Sequence, residues 1–160
     1  MTVLMEEQAV KAELLKQFAF LKDAVTIARV RRIFVDVPLD RFREVFDHAA
    51  GRMGFNMLYT ITGLDNGDDF GAIYHLGKDG CVALNLKVRI PKDKPVLRTV
   101  SDRFPAADIY EREICDLFGI AVEGLPPGNR YPLPDNWPDG EYPLRKDWKG
   151  NLPEDAGGDQ

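Results

Sequence analysis

The apolar positions change period twice within the first third of the chain. Val10, Leu14, Phe18 and Leu21 recur at spacings of four, four and three, which puts them on one face of an amphipathic helix over about residues 5–20. In Ile33-Phe-Val-Asp-Val37 the period drops to two, and Ile33, Val35 and Val37 alternate with Arg32, Phe34 and Asp36. That is a strand with one face on a core, stopped by Pro38. Phe42, Val45, Phe46, Ala49 and Met53 then return to helical spacing. They predict a second helix from Leu39 to about Met53, opened by Asp40 and closed by Gly51 or Gly54.

A series of strands follows. Phe55 to Thr62 and Phe70 to Leu76 read as strands joined by the polar turn Leu64–Asp69, and Gly77-Lys-Asp-Gly80 reads as a hairpin turn. Val82, Leu84, Leu86, Val88 and Ile90 alternate with Ala83, Asn85, Lys87 and Arg89, the clearest strand in the chain. Helix, strand, helix, three-strand meander and a further helix make an α+β fold. Its sheet is expected to be mainly antiparallel and packed with helices, as in a ferredoxin-like relative.

That further helix is Ala107-Asp-Ile-Tyr-Glu-Arg-Glu-Ile-Cys-Asp-Leu-Phe-Gly-Ile120. Asp108 and Glu111 form a capping-box-like start, which predicts a helix from Ile109, and Gly119 ends it. At 100° per residue Tyr110, Ile114, Leu117 and Phe118 share one face, while Arg112, Glu113 and Asp116 gather opposite. Glu111 and Cys115 border the two. Arg112 and Asp116, four apart, are placed to pair. Three readings fit this segment: an ordinary solvated helix face, a docking surface, or a carboxylate metal or acid–base site on Glu111, Glu113 and Asp116. The last ranks lowest, because Glu111 points away from the other two and no histidine lies nearby.

Beyond Ile120 the composition shifts. Pro126, Pro127, Pro132, Pro134, Pro138, Pro143 and Pro153 exclude a long helix or central strand. Trp137, Tyr142, Leu144 and Trp148 lie among them, aromatic and apolar content that a purely disordered tail lacks. The predicted organisation is an α+β domain over 1–124, an extended Pro-rich interaction arm over 125–153 and a disordered tail over 154–160.

Composition mainly excludes. In 160 residues the net charge is −5, which argues against nonspecific binding to nucleic acid or anionic lipid. No run approaches the roughly 20 apolar residues of a membrane span, and the first residues lack the marks of a signal peptide. Cys81 and Cys115 are the only cysteines, which suits a reducing compartment better than a disulfide framework and is too few for an iron–sulfur cluster. The dinucleotide fingerprint is absent. Gly71-Ala-Ile-Tyr-His-Leu-Gly-Lys78 misses the phosphate loop by one residue, and Ser101, the only serine, lacks the nucleophile elbow. His48 and His75 read as structural rather than as ligands. Asp65, Asp68 and Asp69 lack calcium-loop spacing and read as a solvated turn.

Tyr110-Glu-Arg-Glu-Ile-Cys-Asp-Leu-Phe-Gly-Ile120, then Glu123-Gly124, then Tyr142-Pro-Leu-Arg-Lys-Asp147, resemble a known signature. It is that of the hydrophilic C subunit of NADH-quinone oxidoreductase, respiratory complex I, and its counterparts in membrane-bound, energy-converting nickel–iron hydrogenases. The likeness is most specific over residues 108–148. One departure is Leu125-Pro-Pro-Gly-Asn-Arg130, which stands where the family often has His-Pro and a later Leu-Arg-Arg. The stretch Leu133 to Lys146 is more similar to the hydrogenase-associated branch.

The resemblance implies a non-catalytic, cofactor-free subunit of an oxidoreductase complex, peripheral on the cytoplasmic side of the membrane. Its partners would be an iron–sulfur small subunit and a hydrogenase-like large subunit, with membrane subunits contacted indirectly. Iron–sulfur clusters and the nickel–iron centre, or flavin and quinone in the respiratory alternative, would sit in those partners. Glu111, Arg112, Glu113, Asp116 and Gly119 become structural and interface residues of the signature helix. Arg130, Trp137, Tyr142, Pro143, Leu144, Arg145, Lys146, Asp147 and Trp148 become arm residues. No residue is implied to be catalytic, cofactor-binding or metal-binding.

Overall fold

The structure is a computed structural model that describes residues 2–78 and 82–150, with side chains from Met5 onward. The elements are α1 (Thr2–Gln17), β1 (Val25–Arg29), β2 (Arg32–Asp36), α2 (Phe42–Gly51), β3 (Met57–Asp65), β4 (Asp69–Lys78), β5 (Val82–Pro91), β6 (Val96–Arg98), α3 (Ala107–Phe118) and β7 (Ala121–Glu123). The chain is α+β. It divides into two compact units, 1–62 with 71–89, and 63–70 with 90–160. The expected hairpin turn falls partly, and Cys81 and the tail 154–160 wholly, outside the described residues.

The main sheet has the order β1-β2-β5-β4-β3. β1 and β2 are antiparallel, but β2 and β5 run parallel, with Ile33 beside Leu84 and Val35 beside Leu86. The sheet is therefore mixed. β3, β4 and β5 follow one another through three-residue connections, too short for a parallel crossover. No helix stands between β4 and β5 where a ferredoxin-like unit would place one. α3 comes later, flanked by β6 and β7, which pair in parallel as a separate two-stranded sheet.

Periodicity accounts for the first unit's core. Leu14, Ile33, Val35, Val45, Phe46, Tyr74, Leu76, Leu84 and Leu86 are fully buried. The α2 rings rest on β4, with Phe42 and Phe46 centroids 4.5 and 5.7 Å from Tyr74. α1 stops at Gln17, and Leu21 reaches the core from a separate 3-10 turn, Ala19–Leu21. Likewise Leu39–Arg41 is a 3-10 turn leading into α2.

β1 is an addition to the expected elements. It turns into β2 through Val30 and Arg31, and Arg31 has φ 62, a left-handed backbone that costs a non-glycine residue on the order of 1 kcal/mol. The buried Glu7 of α1 accepts the Arg31 amide and secures the turn. Both histidines are engaged. His75 lies between the Thr62 hydroxyl at 2.9 Å and the Asn85 amide oxygen at 2.6 Å, and His48 packs edge-on to Phe18.

Candidate functional site

The signature helix and the Pro-rich segment belong to the second unit. α3 begins at Ala107 rather than Ile109, and the residue before it, Ala106, supplies no side-chain cap. The capping box does not form because both acids have other partners. Asp108 accepts from Arg112 Nε at 3.1 Å and Nη2 at 2.8 Å. Glu111 turns toward the end of β6, where Oε1 accepts the Val100 amide at 2.7 Å and Oε2 the Thr99 hydroxyl at 2.5 Å.

Glu111 is fully buried, and Asp116 is 7% exposed, so the carboxylates are not aligned on a solvated face. Burial pushes the Glu111 carboxyl above its ordinary range, against the opposing hydrogen bonds from Thr99 and Val100. Asp116 pairs with Arg130 rather than with Arg112. Its Oδ1 faces Arg130 Nε at 3.4 Å and its Oδ2 accepts the Leu133 amide at 3.2 Å. Arg112 takes Asp108 instead, the order with the acid N-terminal to the base that suits an i,i+4 helix pair. Burial also pushes the Cys115 thiol up to about 11, with Asp116 and Glu111 adding to the shift. That thiol is no nucleophile at neutral pH.

Residues 125–150 contain no helix or strand and fasten to α3 along its length. Arg112 Nη2 donates to the Pro126 carbonyl at 2.5 Å, and Nη1 to that of Asn129 at 3.4 Å. A Cβ on Gly128 would lie 2.6 Å from Arg112 Nη2, so a side chain there would displace the guanidinium from these carbonyls. Arg130 Nη1 donates to the Trp137 carbonyl at 2.8 Å. Trp137 and Trp148 stand 6.2 Å apart, and both indole N–H groups bond Glu141, one to its carbonyl at 2.8 Å and one to its carboxylate at 2.6 Å.

The C-terminus of α3 is the second anchor. Gly119 ends the helix at φ 70, ψ 30 and donates to the Cys115 carbonyl at 2.9 Å. Two carbonyls left without helical partners are then capped by the later segment: Leu117 by the Leu144 amide at 3.1 Å, and Phe118 by Arg145 Nε at 2.6 Å. A cation at this end also complements the helix dipole. The Arg145 guanidinium spans the Tyr142 and Phe70 rings, 4.4 and 5.0 Å from their centroids. A Cβ on Gly119 would come within 2.5 Å of Tyr142. Phe118 lies against Phe70 and over Gly63, where a side chain would collide with its ring.

Asp65, expected in a solvated turn, is the third anchor. Its side chain is 2% exposed and receives Lys92 Nζ at 2.7 Å, the Lys146 amide at 2.8 Å and the Gly67 amide at 2.9 Å. Burial would raise its pKa, but these donors outweigh it and hold the carboxyl at about 2. Tyr142 and Pro143 are half-buried, whereas Leu144, Lys146 and Asp147 are exposed at the surface; Glu113 is half-buried on α3. Sequence reasoning missed Asp65, Lys92, Thr99, Gly128 and Glu141 as members of this cluster.

The cluster is a clasp in which Asp65, Asp108, Glu111 and Asp116 all bond to groups of the chain itself. Glu111, Glu113 and Asp116 are not brought together, and among the described residues no three His, Cys, Asp or Glu side chains converge to hold a metal ion. No helix among them is long and apolar enough to cross a membrane.

Known proteins share both the sequence and the fold. The chain is 37% identical over 122 residues to the C subunit of the F(420)H(2) dehydrogenase of Methanosarcina mazei, covering 74% of this chain and 77% of that one. Over 95 residues it is 42% identical to the beta subunit of the membrane-bound hydrogenase of Pyrococcus furiosus, covering 57% of this chain and 54% of that one. A chain of the membrane-bound sulfane sulfur reductase, an archaeal respiratory membrane complex, superposes with a TM-score of 0.80 at 28% identity, covering 91% of this chain and 87% of that one. Residues 35–154, from the end of β2 through the clasp, match the family described as the respiratory-chain NADH dehydrogenase 30 Kd subunit, and the chain belongs to that family.

Proposed function

We propose that this chain is a non-catalytic structural subunit of a membrane-associated redox complex. In this reading it carries no cofactor and sits on the cytoplasmic side of the membrane, holding the iron–sulfur small subunit and the large subunit of an energy-converting nickel–iron hydrogenase. The clasp is the observation that carries this. Glu111, Asp116, Arg112 and Arg145 spend their hydrogen-bonding capacity on the chain itself, which suits a rigid platform and leaves no poised acid, base or nucleophile. Electrons and protons then move in the neighbouring subunits, and exposed residues such as Leu144, Lys146 and Asp147 meet them.

The hydrogenase assignment draws on the 42% identical stretch shared with a hydrogenase subunit. A respiratory, quinone-reducing complex is the second reading, favoured by the family description and by the dehydrogenase relative. Purification of the tagged chain from its native cells in mild detergent, with mass spectrometry and metal and flavin analysis, separates them. Nickel with iron–sulfur and membrane subunits supports the hydrogenase. Iron and flavin without nickel support the respiratory complex. A lone chain would overturn both.

A further inference from the structure

The hairpin of β1 and β2 ends in three arginines at one end of the main sheet. Arg29, Val30, Arg31 and Arg32 are consecutive and all exposed, Val30 at 53%. In a chain of net charge −5 this is a local excess of positive charge. Among the described residues no carboxylate forms an ion pair with any of the three guanidinium groups. Glu7 reaches the turn, but its Oε1 takes the Arg31 backbone amide rather than a side chain. Lys78 and Arg52 extend the positive surface. Arg32 lies beside Ala83 of β5, and β4 ends at the exposed Lys78, separated from β5 by three residues. The Lys78 side chain passes Gly54, with Cε 3.5 Å from where a Cβ would stand, and the exposed Arg52 is two residues before that glycine.

The turn also presents its arginine under strain. At φ 62 glycine or asparagine would sit at lower cost than arginine, and the fully buried Glu7 holds the strained residue in place. Strained backbone fixed by its surroundings clusters at binding and switch regions. Arginine is charged at any working pH, and its planar fork matches the two oxygens of a carboxylate. It is also enriched among the residues that dominate protein interfaces.

We infer that the Arg29–Arg32 tip is a docking point for a partner protein, and that the segment it takes bears aspartate or glutamate side chains. Complementary charge fixes the register of such a contact and steers its formation, and Val30 adds an apolar contact between the arginines. A membrane surface would ask for a larger apolar face beside the charge. That the partner is another subunit rests on the assembly reading above.

Variants expressed in the native cells in place of the unmodified chain test this. Arg29→Glu combined with Arg32→Glu leaves Arg31 and its turn intact. It is expected to lower the yield of complex purified through this chain several-fold, with the urea midpoint of the free chain unchanged. Lys16→Glu combined with Lys22→Glu, at exposed positions of the same unit, alters the net charge equally and is expected to leave the yield unchanged. Arg29→Lys and Arg32→Lys, made singly, keep the charge and supply an amine. A carbodiimide condenses that amine with a touching carboxylate into an amide, taking up the water as a urea. The expected product is a cross-link from either position to an aspartate or glutamate of a partner subunit. These charge-conserving variants decide alone if the doubly reversed one unfolds early.

Wild-type yield from the doubly reversed variant, or cross-links to no partner carboxylate, overturns the docking point and leaves the assembly reading standing. An equal fall in the lysine pair overturns it too, since net charge alone would then act. Failure to recover any complex through the unmodified chain overturns the assembly reading, and the docking point with it. Two results would name another occupant and overturn the inference: binding of the free chain to anionic phospholipid vesicles that the doubly reversed variant loses, and cross-links that join two copies of this chain.

Discussion

The Asp65 carboxylate accepts the backbone amide of Lys146 at 2.8 Å, across a separation of 81 residues. It holds Lys92 with its other oxygen, so one buried side chain ties three stretches of the second unit together. Glu111 does the same between α3 and the end of β6.

The Asp65 tie has a pH signature. Its carboxyl is held at about 2 against an ordinary value of 3.8, so the folded state binds fewer protons than the unfolded chain in that window. The stabilisation is complete above the unfolded value and is lost as pH falls from about 4 through 2. Asp65→Asn is expected to cost about 1–3 kcal/mol at pH 7 and to flatten the acid limb. Urea unfolding measured between pH 2 and 6 checks both. An acid limb unchanged in the variant would remove Asp65 from the tie.

Glu111 has the opposite sign. Its folded-state value is raised from 4.5, so the folded state holds the proton longer than the unfolded chain. Stability therefore declines as pH rises from about 4.5 to the raised value, then levels off. Glu111→Gln should abolish that decline and unfold at equal or higher denaturant at pH 8. Glu111→Ala should lose about 1–3 kcal/mol, since the buried Val100 amide is left without its acceptor. A Gln variant that keeps the wild-type decline would place the titrating group elsewhere.

Much of this site was legible in the sequence, and the rest was hidden for physical reasons. α3 and its stop at Gly119 follow from apolar spacing and a helix-ending glycine, both local signals. The solvated face expected for Asp116 failed because helical geometry gives an angle and not what lies opposite. Arg130 and Leu133, which cover Asp116, come 14 and 17 residues later. Arg112 has an acid four residues away on either side, and spacing alone does not choose between them. β1 escaped notice because its turn at Val30 and Arg31 lacks the usual glycine or asparagine and depends on Glu7, 24 residues earlier. β6 and β7 are too short to show a period at all.

Gly119→Ala probes the anchor at the helix end. The left-handed φ costs a non-glycine residue roughly 1–2 kcal/mol, and the added Cβ displaces Tyr142 and Arg145. The expected effect is local: faster tryptic cleavage after Arg130, Arg145 and Lys146, with helix content by circular dichroism almost unchanged. Cleavage at the wild-type rate would mean that residues 125–150 are held by the Asp116 and Asp65 anchors alone.

Trp148 tests the link between clasp and assembly. Its ring packs near Trp137 and its indole N–H bonds the Glu141 carboxylate, so Trp148→Ala removes one side of the knot that shapes residues 137–148. A large aromatic truncation of this kind costs about 3–5 kcal/mol when fully buried and less here, where the ring is half-exposed. The α+β core lies outside the knot and is expected to keep its cooperative unfolding. What should fall is the yield of complex purified through this chain, with the metal content per assembled particle unchanged, because the reading puts every cofactor in the partners. Intact complex at wild-type yield would separate the knot from assembly. Loss of metal from particles of normal subunit composition would instead mean that this chain helps to form a cofactor site.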